Sequence, residues 1–178
     1  RIASDFFAAN AERALAALIV SVTIDTQPFM LYAGQELGER GMDKEGYSGV
    51  DGRTTIFDYW SVPTVRAWYN NGKCNTEKLT PEQCALRDKY KQILTLCNKE
   101  QAIAQGNFFD LMYVNFSNGM FDPHRHYAYL RYTADEILLI AVNFGTQSSY
   151  VAINIPQLAL DMMGIDSATY EATELLSG

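Results

Sequence analysis

Basic residues are scarce in this chain, which has 14 lysines and arginines against 21 aspartates and glutamates in 178 residues. The formal net charge of −7 and the lack of a basic stripe argue against a nucleic-acid-binding surface. Long apolar runs are also missing, because the longest, Ala14 to Val22, is far too short to span a bilayer. We therefore expect neither nucleic acid nor a membrane as a partner.

Cysteine and histidine are equally sparse. Cys74, Cys84 and Cys97 form an odd set without a C-x-x-C spacing, which indicates neither a zinc site nor a disulfide framework. Cys97 is expected in the core, and Cys74 and Cys84 are expected as free thiols in preference to a pair. His124 and His126 lie two residues apart, a spacing that favours a solvated loop over a metal site.

The stretch Gln27 to Gly38, QPFMLYAGQELG, organises the chain. Four consecutive apolar residues, Phe29 to Tyr32, predict a short strand that is buried on both faces of a parallel sheet. Gly34 allows a sharp backbone turn, and the polar residues Gln35 and Glu36 follow it. Polar groups at the carboxyl end of such a strand are where α/β folds bind ligands.

These residues resemble the eighth strand and following loop of the α-amylase family of glycoside hydrolases, whose pattern is roughly G-x-P-x-x-Y-x-G-x-E. The chain fits this pattern from Gln27 to Glu36, apart from the first glycine. The later stretch Arg53 to Trp60, RTTIFDYW, resembles the family's R-T-x-x-x-W segment. The run LLIAVNFG followed by YVAINIP is similar to the sheet of the family's C-terminal domain.

The resemblance implies a fold in two parts. Residues 1–106 would be the C-terminal part of the catalytic (β/α)8 TIM barrel, namely its last βα unit and the preceding helix. Residues 107–178 would form an antiparallel all-β, sandwich-type domain that lacks its last strands. Because a complete barrel needs about 250 residues, we expect the chain to be a carboxyl-terminal piece of a longer enzyme.

Local patterns predict the individual elements. A helix is expected over Arg1–Val22, and Thr80-Pro81-Glu82-Gln83 predicts a helix start with a capping box. Leu158–Met163 predicts a short helix or turn. Strands are predicted at Leu111–Phe116, Tyr127–Tyr132, Glu136–Phe144, Tyr150–Ile155 and Tyr170–Leu175.

Retaining glycoside hydrolysis needs an acid/base carboxyl and a nucleophilic carboxylate about 5 Å apart. The resemblance places the family's catalytic carboxylates upstream of Arg1, so we assign no catalytic residue and expect this chain alone to be inactive. Glu36 and Asp58 are the best candidates for an internal pair. We prefer the interpretation that Glu36 fixes its loop and pairs with Arg53.

The resemblance implies substrate binding by Gln35, Glu36, Arg53, Tyr59 and Trp60, with Tyr59 or Trp60 as a sugar platform or, in the alternative, as packing residues. The ligand would be an α-glucan or maltooligosaccharide, bound through the parent enzyme, and an open sheet edge predicts self-association. Family members sometimes bind calcium, but this sequence predicts no metal site and no cofactor. The compartment stays open between periplasmic or extracellular and cytoplasmic.

Two other interpretations remain. The chain could be a non-catalytic carbohydrate-binding or interaction domain that uses surface tyrosines and tryptophans, or an unrelated α+β domain. An Asn-His-Asp triplet in the reading frame just upstream of Arg1 would favour the glycosidase, because the family carries that triplet shortly before the first helix seen here.

Overall fold

The computed structural model describes residues 10–39 and 62–176. The chain divides into two compact units, residues 1–15 with 29–92 and residues 16–28 with 93–178. Within the described ranges, no helix combines the length and the apolar character that a bilayer crossing requires. The helices are α1 (Leu15–Thr23), α2 (Pro63–Tyr69), α3 (Pro81–Lys99), α4 (Gln101–Gln105), α5 (Met112–Asn115) and α6 (Gln157–Met163), and the strands are β1 (Asn107–Asp110), β2 (His126–Tyr132) and β3 (Ile137–Asn143).

The first unit is helical in its described part. It contains α2, most of α3 and three short 3-10 turns at Ala11–Ala14, Gln35–Leu37 and Asn70–Gly72. Its buried apolar side chains come from the first two of these turns, from α3 and from the residue before α2, and they are Ala14, Leu37, Val62, Leu86 and Tyr90.

The predicted capping box at the start of α3 is confirmed. The Thr80 backbone N–H donates to Oε1 of Gln83 at 2.9 Å, and the Gln83 N–H donates to Oγ1 of Thr80 at 3.3 Å. Each side chain thus satisfies a backbone donor that the first turn of the helix leaves unpaired. The helix then runs for 19 residues and buries Leu86, Tyr90 and Ile93, which the i, i+4, i+7 spacing places on one face.

The second unit is built on a three-stranded antiparallel sheet in the order β1-β2-β3. The predicted hairpin of β2 and β3 is confirmed, with Leu130 opposite Leu139 and Tyr132 opposite Ile137. On its other side β2 pairs with β1, where Leu130 lies opposite Phe109. Because β2 is the central strand, five consecutive residues of it, from Ala128 to Tyr132, are buried.

The two faces of β2 are covered by different elements of the second unit. On one face, Ala128, Leu130 and Tyr132 belong to an apolar cluster that includes Ala159 and Met163 of α6. On the other face, the Tyr129 hydroxyl is 2.5 Å from Oγ1 of Thr23 in α1, and Arg131 reaches α4. The even-numbered residues of β2 therefore face an apolar layer, and the odd-numbered residues face a layer of hydrogen bonds.

Arg131 is a buried cation surrounded by backbone carbonyl groups. Its Nε donates to Ala102 O at 3.1 Å, its Nη2 to Ile103 O at 3.0 Å and Gly106 O at 2.8 Å, and its Nη1 to Ile24 O at 3.1 Å. Burial lowers the pKa of the guanidinium, and the negative charge of Asp25 opposes that shift. The side chain thereby links the end of α4, the residue before β1 and the residue after α1.

Gly106 is required where β1 begins. A Cβ atom at this position would lie 2.3 Å from Ala102 O and 2.7 Å from Tyr132 O, which is closer than real Cβ contacts. The close approach lets the Gly106 carbonyl reach Arg131.

The predicted fold class is wrong. In place of the end of a TIM barrel followed by an antiparallel sandwich, the described residues form one open three-stranded antiparallel sheet with six α-helices. They contain no parallel strand pair, so nothing in them is part of a barrel wall. The predicted domain boundary between residues 106 and 107 stays a prediction.

The predicted buried strand Phe29–Tyr32 is also wrong. The segment has neither strand nor helix structure, and the Met30 side chain is 80% exposed. A strand needs a neighbour for its backbone groups, and no described strand offers one here. A run of four apolar residues does not reveal by itself whether that neighbour exists.

Three further strand predictions fail for identifiable reasons. Met112–Asn115 is the short helix α5, and Oδ1 of Asp110 accepts the Met112 N–H at 3.1 Å.

The segment 150–155 is not a strand because side chains form hydrogen bonds with its backbone groups. Asn115 binds both the N–H and the C=O of Asn154, at 2.8 and 3.0 Å. Residues 170–175 are largely exposed and pair with no strand in the described ranges. The predicted helix at 158–163 is confirmed as α6.

Replacing Thr80 tests the capping box. Thr80→Ala removes one of the two reciprocal hydrogen bonds, and we expect it to lower the free energy of unfolding by about 1 kcal/mol. Urea denaturation followed by circular dichroism measures the change. Thr95→Ala, an exposed substitution inside the same helix, is the control and should change stability by less than about 0.5 kcal/mol. Equal effects of the two substitutions would contradict the assigned role of Thr80.

Replacing Arg131 tests the carbonyl cluster. Arg131→Met keeps the bulk of the side chain but leaves buried carbonyls without donors. We expect a loss of at least about 3 kcal/mol, since each such group costs roughly 1–3 kcal/mol. Arg125→Met is the matched control, because Arg125 is exposed and its pair with Asp122 is worth little. A loss below about 1 kcal/mol for Arg131→Met, measured by urea denaturation, would show that the cluster is not a stability determinant.

Candidate functional site

The segment Gly34–Glu39 forms a tight turn in the first unit. Gly34 and Gly38 flank the 3-10 turn Gln35–Leu37 and have left-handed backbones, with φ of 83° and 72°. A Cβ atom on Gly34 would lie 3.0 Å from the Cβ of Glu39, so both conformation and space favour glycine here. The predicted sharp turn at Gly34 is confirmed, although no strand leads into it.

Gln35 is held by a side chain of α3. Its Nε2 donates to the Tyr90 hydroxyl at 3.1 Å, and Tyr90 is buried. The sequence gave no sign of the contact between Tyr90 and Gln35. The two residues are 55 positions apart, so only the tertiary fold brings them together.

Glu36 carries a buried carboxylate oxygen with no hydrogen-bond partner in the described part of the chain, its Oε2 atom. Burial raises the pKa of Tyr90, and the negative charge of Glu36 raises it further, while the hydrogen bond from Gln35 lowers it. A buried carboxylate oxygen without a donor is costly, and in native proteins such groups are uncommon. This atom is therefore the feature of the loop that most calls for a partner.

Glu39 closes the turn from the other side. Its side chain is buried and its Oε2 accepts a hydrogen bond from Oγ1 of Thr64 in α2. Sequence reasoning missed both residues, because no motif in the sequence marks Glu39 or Thr64. The carboxylate thus serves to position the loop.

The chemistry of Gln35, Glu36 and Tyr90 suits a hydroxyl-bearing ligand. Tyr90 accepts its hydrogen bond from Gln35, so its own proton is available for donation, while Glu36 Oε2 can accept a proton donor. A hydroxyl group both accepts and donates, and water or a sugar could provide one. Acid/base chemistry of the retaining type needs a second carboxyl at about 5 Å, and the other carboxyl of the described loop, Glu39, is engaged with Thr64.

The other predicted site residues lie outside the described residues. These are Arg53, Asp58, Tyr59 and Trp60. The Glu36–Arg53 pair, the alternative Glu36–Asp58 pair and the sugar platform therefore stay predictions.

The histidines form a local turn in the second unit. Oδ1 of Asp122 accepts the His124 N–H at 3.0 Å, and Nδ1 of His126 accepts the Asp122 N–H at 3.1 Å. Nε2 of His126 lies 2.9 Å from Oγ of Ser149. Because Nδ1 is an acceptor, the neutral ring carries its proton on Nε2 and donates to Ser149, which is the wrong tautomer for a base that activates a serine.

Metal ligands do not converge in the described ranges, where no group of three or more histidine, cysteine, aspartate or glutamate side chains could hold an ion. All three cysteines are free thiols. Cys97 was expected in the core but is half-buried, and burial raises the pKa of its thiol to about 11, so it is a poor nucleophile at neutral pH.

Comparisons of the chain with protein-family models, with curated proteins and with solved structures give no match. The resemblance to α-amylases therefore depends on the residues quoted above.

The buried Tyr90 predicts a dependence of stability on alkaline pH. Its pKa in the folded state is raised from 10.0, so the native state holds the phenol proton more tightly than the unfolded state. This stabilisation is complete below pH 10 and is lost as the pH rises through the raised pKa. Tyr90→Phe should lower stability by about 1 kcal/mol at pH 7 through the lost acceptor for Gln35 and should also flatten the alkaline decline.

Urea denaturation at several pH values from neutral to strongly alkaline measures both effects. Tyr150→Phe is the control, because the Tyr150 side chain is 99% exposed and its loss should leave the alkaline decline as steep as in the parent chain. If Tyr90→Phe leaves that decline unchanged, the assigned environment of Tyr90 is wrong.

Proposed function

We propose that this chain is part of an α-amylase-type retaining glycoside hydrolase that acts on α-glucans, and that it lacks the catalytic carboxylates. Its contribution is a glucan-binding loop, with Gln35 and Glu36 as the residues that contact substrate. The proposal concerns the activity and the site, and it does not include a barrel fold for these residues.

The observation that carries the proposal is the buried Oε2 of Glu36, which has no hydrogen-bond partner among residues 10–39 and 62–176 and lies inside the stretch that resembles the family. A loop that served structure alone would satisfy this oxygen, as Thr64 satisfies Glu39. An α-glucan offers a dense array of hydroxyl groups that can donate to a carboxylate. The resemblance and the geometry thus point to the same residue by separate routes.

Positioning supports the same assignment. Gly34 and Gly38 fix the backbone of the turn, Tyr90 fixes the amide of Gln35, and Thr64 fixes Glu39. Binding residues that are held in place lose little conformational entropy when a ligand arrives. The amide oxygen of Gln35 is left as an acceptor, because its nitrogen is engaged with Tyr90.

The test is the affinity of the chain for maltoheptaose, measured by isothermal titration calorimetry. Glu36→Gln keeps the shape of the side chain but removes its charge. A hydrogen bond to a charged group is worth about 1.5–3 kcal/mol, so we expect binding to weaken about tenfold or more. Reducing-sugar assays should detect no hydrolysis by the chain alone, because the catalytic carboxylates are expected upstream of Arg1.

Glu12→Gln is the matched control. It is the same substitution at an exposed glutamate of the same unit, where the partner is Lys89 at 3.0 Å, and it should leave the affinity unchanged. Failure of the parent chain to bind maltoheptaose, or equal binding by the Glu36→Gln variant, would contradict the proposal. Hydrolysis by the parent chain would contradict the absence of catalytic groups.

A further inference from the structure

The outer edge of the sheet is unusually free of the devices that keep sheet edges apart. β3 has the sequence ILLIAVN, seven residues without a charge or a proline, and it pairs with β2 on one side. In the described ranges no strand pairs with its other side. Alternate residues of an edge strand direct their N–H and C=O groups outward, and natural edges usually carry lysine, proline or a bulge to prevent pairing.

The apolar layer of the second unit also stops short of β3. The cluster that buries Ala128 and Leu130 in β2 does not bury their cross-strand neighbours Ala141 and Leu139. Leu139 is 49% exposed, whereas Leu130 directly opposite is almost fully buried. Because opposite residues share a face of the sheet, this face carries an exposed apolar strip, formed by Ile137, Leu139 and Ala141.

The edge of β1 is protected against pairing in two ways in which the edge of β3 is not. β1 is four residues long and ends in Asp110, so it offers a short ladder with a charge at its end. Short strands and charged side chains are the features that protect an edge. The asymmetry identifies β3 as the edge at which a further strand would add.

We propose that β3 pairs with β3 of a second copy of this chain, antiparallel and centred on Ile140, to form a symmetric dimer with a continuous six-stranded sheet. Charge selects this orientation. In the antiparallel pair, Asp135 and Glu136 lie opposite Gly145 and Phe144 of the second copy. A parallel pair in register would instead place each of these acids opposite the same acid of the second copy, and the like charges would repel.

The antiparallel arrangement also lets the exposed apolar strips of the two copies pack against each other. Leu139 of each copy lies opposite Ala141 of the other, a large residue against a small one, and this contact occurs twice by symmetry. The dimer pairs the outward backbone groups of β3 at the same time.

Sedimentation velocity and light scattering test the proposal on the full chain. The parent chain should show a concentration-dependent species of twice the 20.0 kDa chain mass. Leu139→Lys and Ala141→Lys should each weaken dimerisation at least about tenfold, because each places a charge on the paired edge. Both positions are exposed, so far-ultraviolet circular dichroism should be unchanged.

Leu158→Lys is the matched control. Leu158 lies in α6 and is 58% exposed, more than Leu139, but it belongs to no strand. It should leave the dimer intact. A parent chain that stays monomeric at all accessible concentrations would overturn the proposal, and so would equal weakening by Leu158→Lys, which would show unspecific apolar adhesion.

Mixing variants tests the orientation. Leu139→Lys mixed with Ala141→Glu should form a heterodimer, because the antiparallel pair brings these opposite charges together. Leu139→Lys mixed with Leu139→Glu should form it more weakly, since the two charges are then not directly opposite. The reverse order would indicate a parallel pair and would overturn the antiparallel dimer.

Discussion

The buried guanidinium of Arg131 constrains the second unit more than any other group. A cation that is removed from water must be surrounded by acceptors, and here four backbone carbonyls from three segments supply them. The end of α4, the start of β1 and the residue after α1 must therefore meet at one place on β2. Gly106 satisfies the same constraint, because only a residue without a Cβ lets its carbonyl approach.

The loop of the first unit follows a similar logic with a different outcome. Tyr90 and Thr64 pair with the side chains of Gln35 and Glu39, and one carboxylate oxygen of Glu36 has no donor in the described part of the chain. Arg131 engages four of its five N–H donors and fixes where three segments of the second unit meet, whereas Oε2 of Glu36 has no donor among the described residues. Incomplete pairing at a fixed position is typical of a group that binds something else, and this difference separates a structural polar residue from a candidate ligand contact.

The sheet shows how burial can be uneven across a single layer. β2 is covered on both faces, by α6 on one and by α1 and α4 on the other, while β3 is exposed at Ile137, Leu139 and Ala141 on the α6 face. Its sequence is nevertheless as apolar as that of a central strand. At the edge of the sheet, this apolar strand combines the exposed strip and the outward backbone groups into one surface, and the proposed self-association rests on that surface without a separate motif.

The sequence by itself determined the features that depend on neighbours within a few residues. These are the Thr80 capping box, the turn at Gly34, the β2–β3 hairpin and the short helix α6, because their hydrogen bonds join residues close along the chain. Only the tertiary structure decided whether an apolar run becomes a strand. Phe29–Tyr32 has no neighbouring strand among the described residues, and in 150–155 the backbone of Asn154 bonds to the Asn115 side chain. Apolar runs like that of β3 therefore do not all become strands. The contact of Gln35 with Tyr90 likewise joins residues far apart in the chain, and no local pattern encodes it. The same holds for the burial of Glu36 Oε2 without a donor among the described residues.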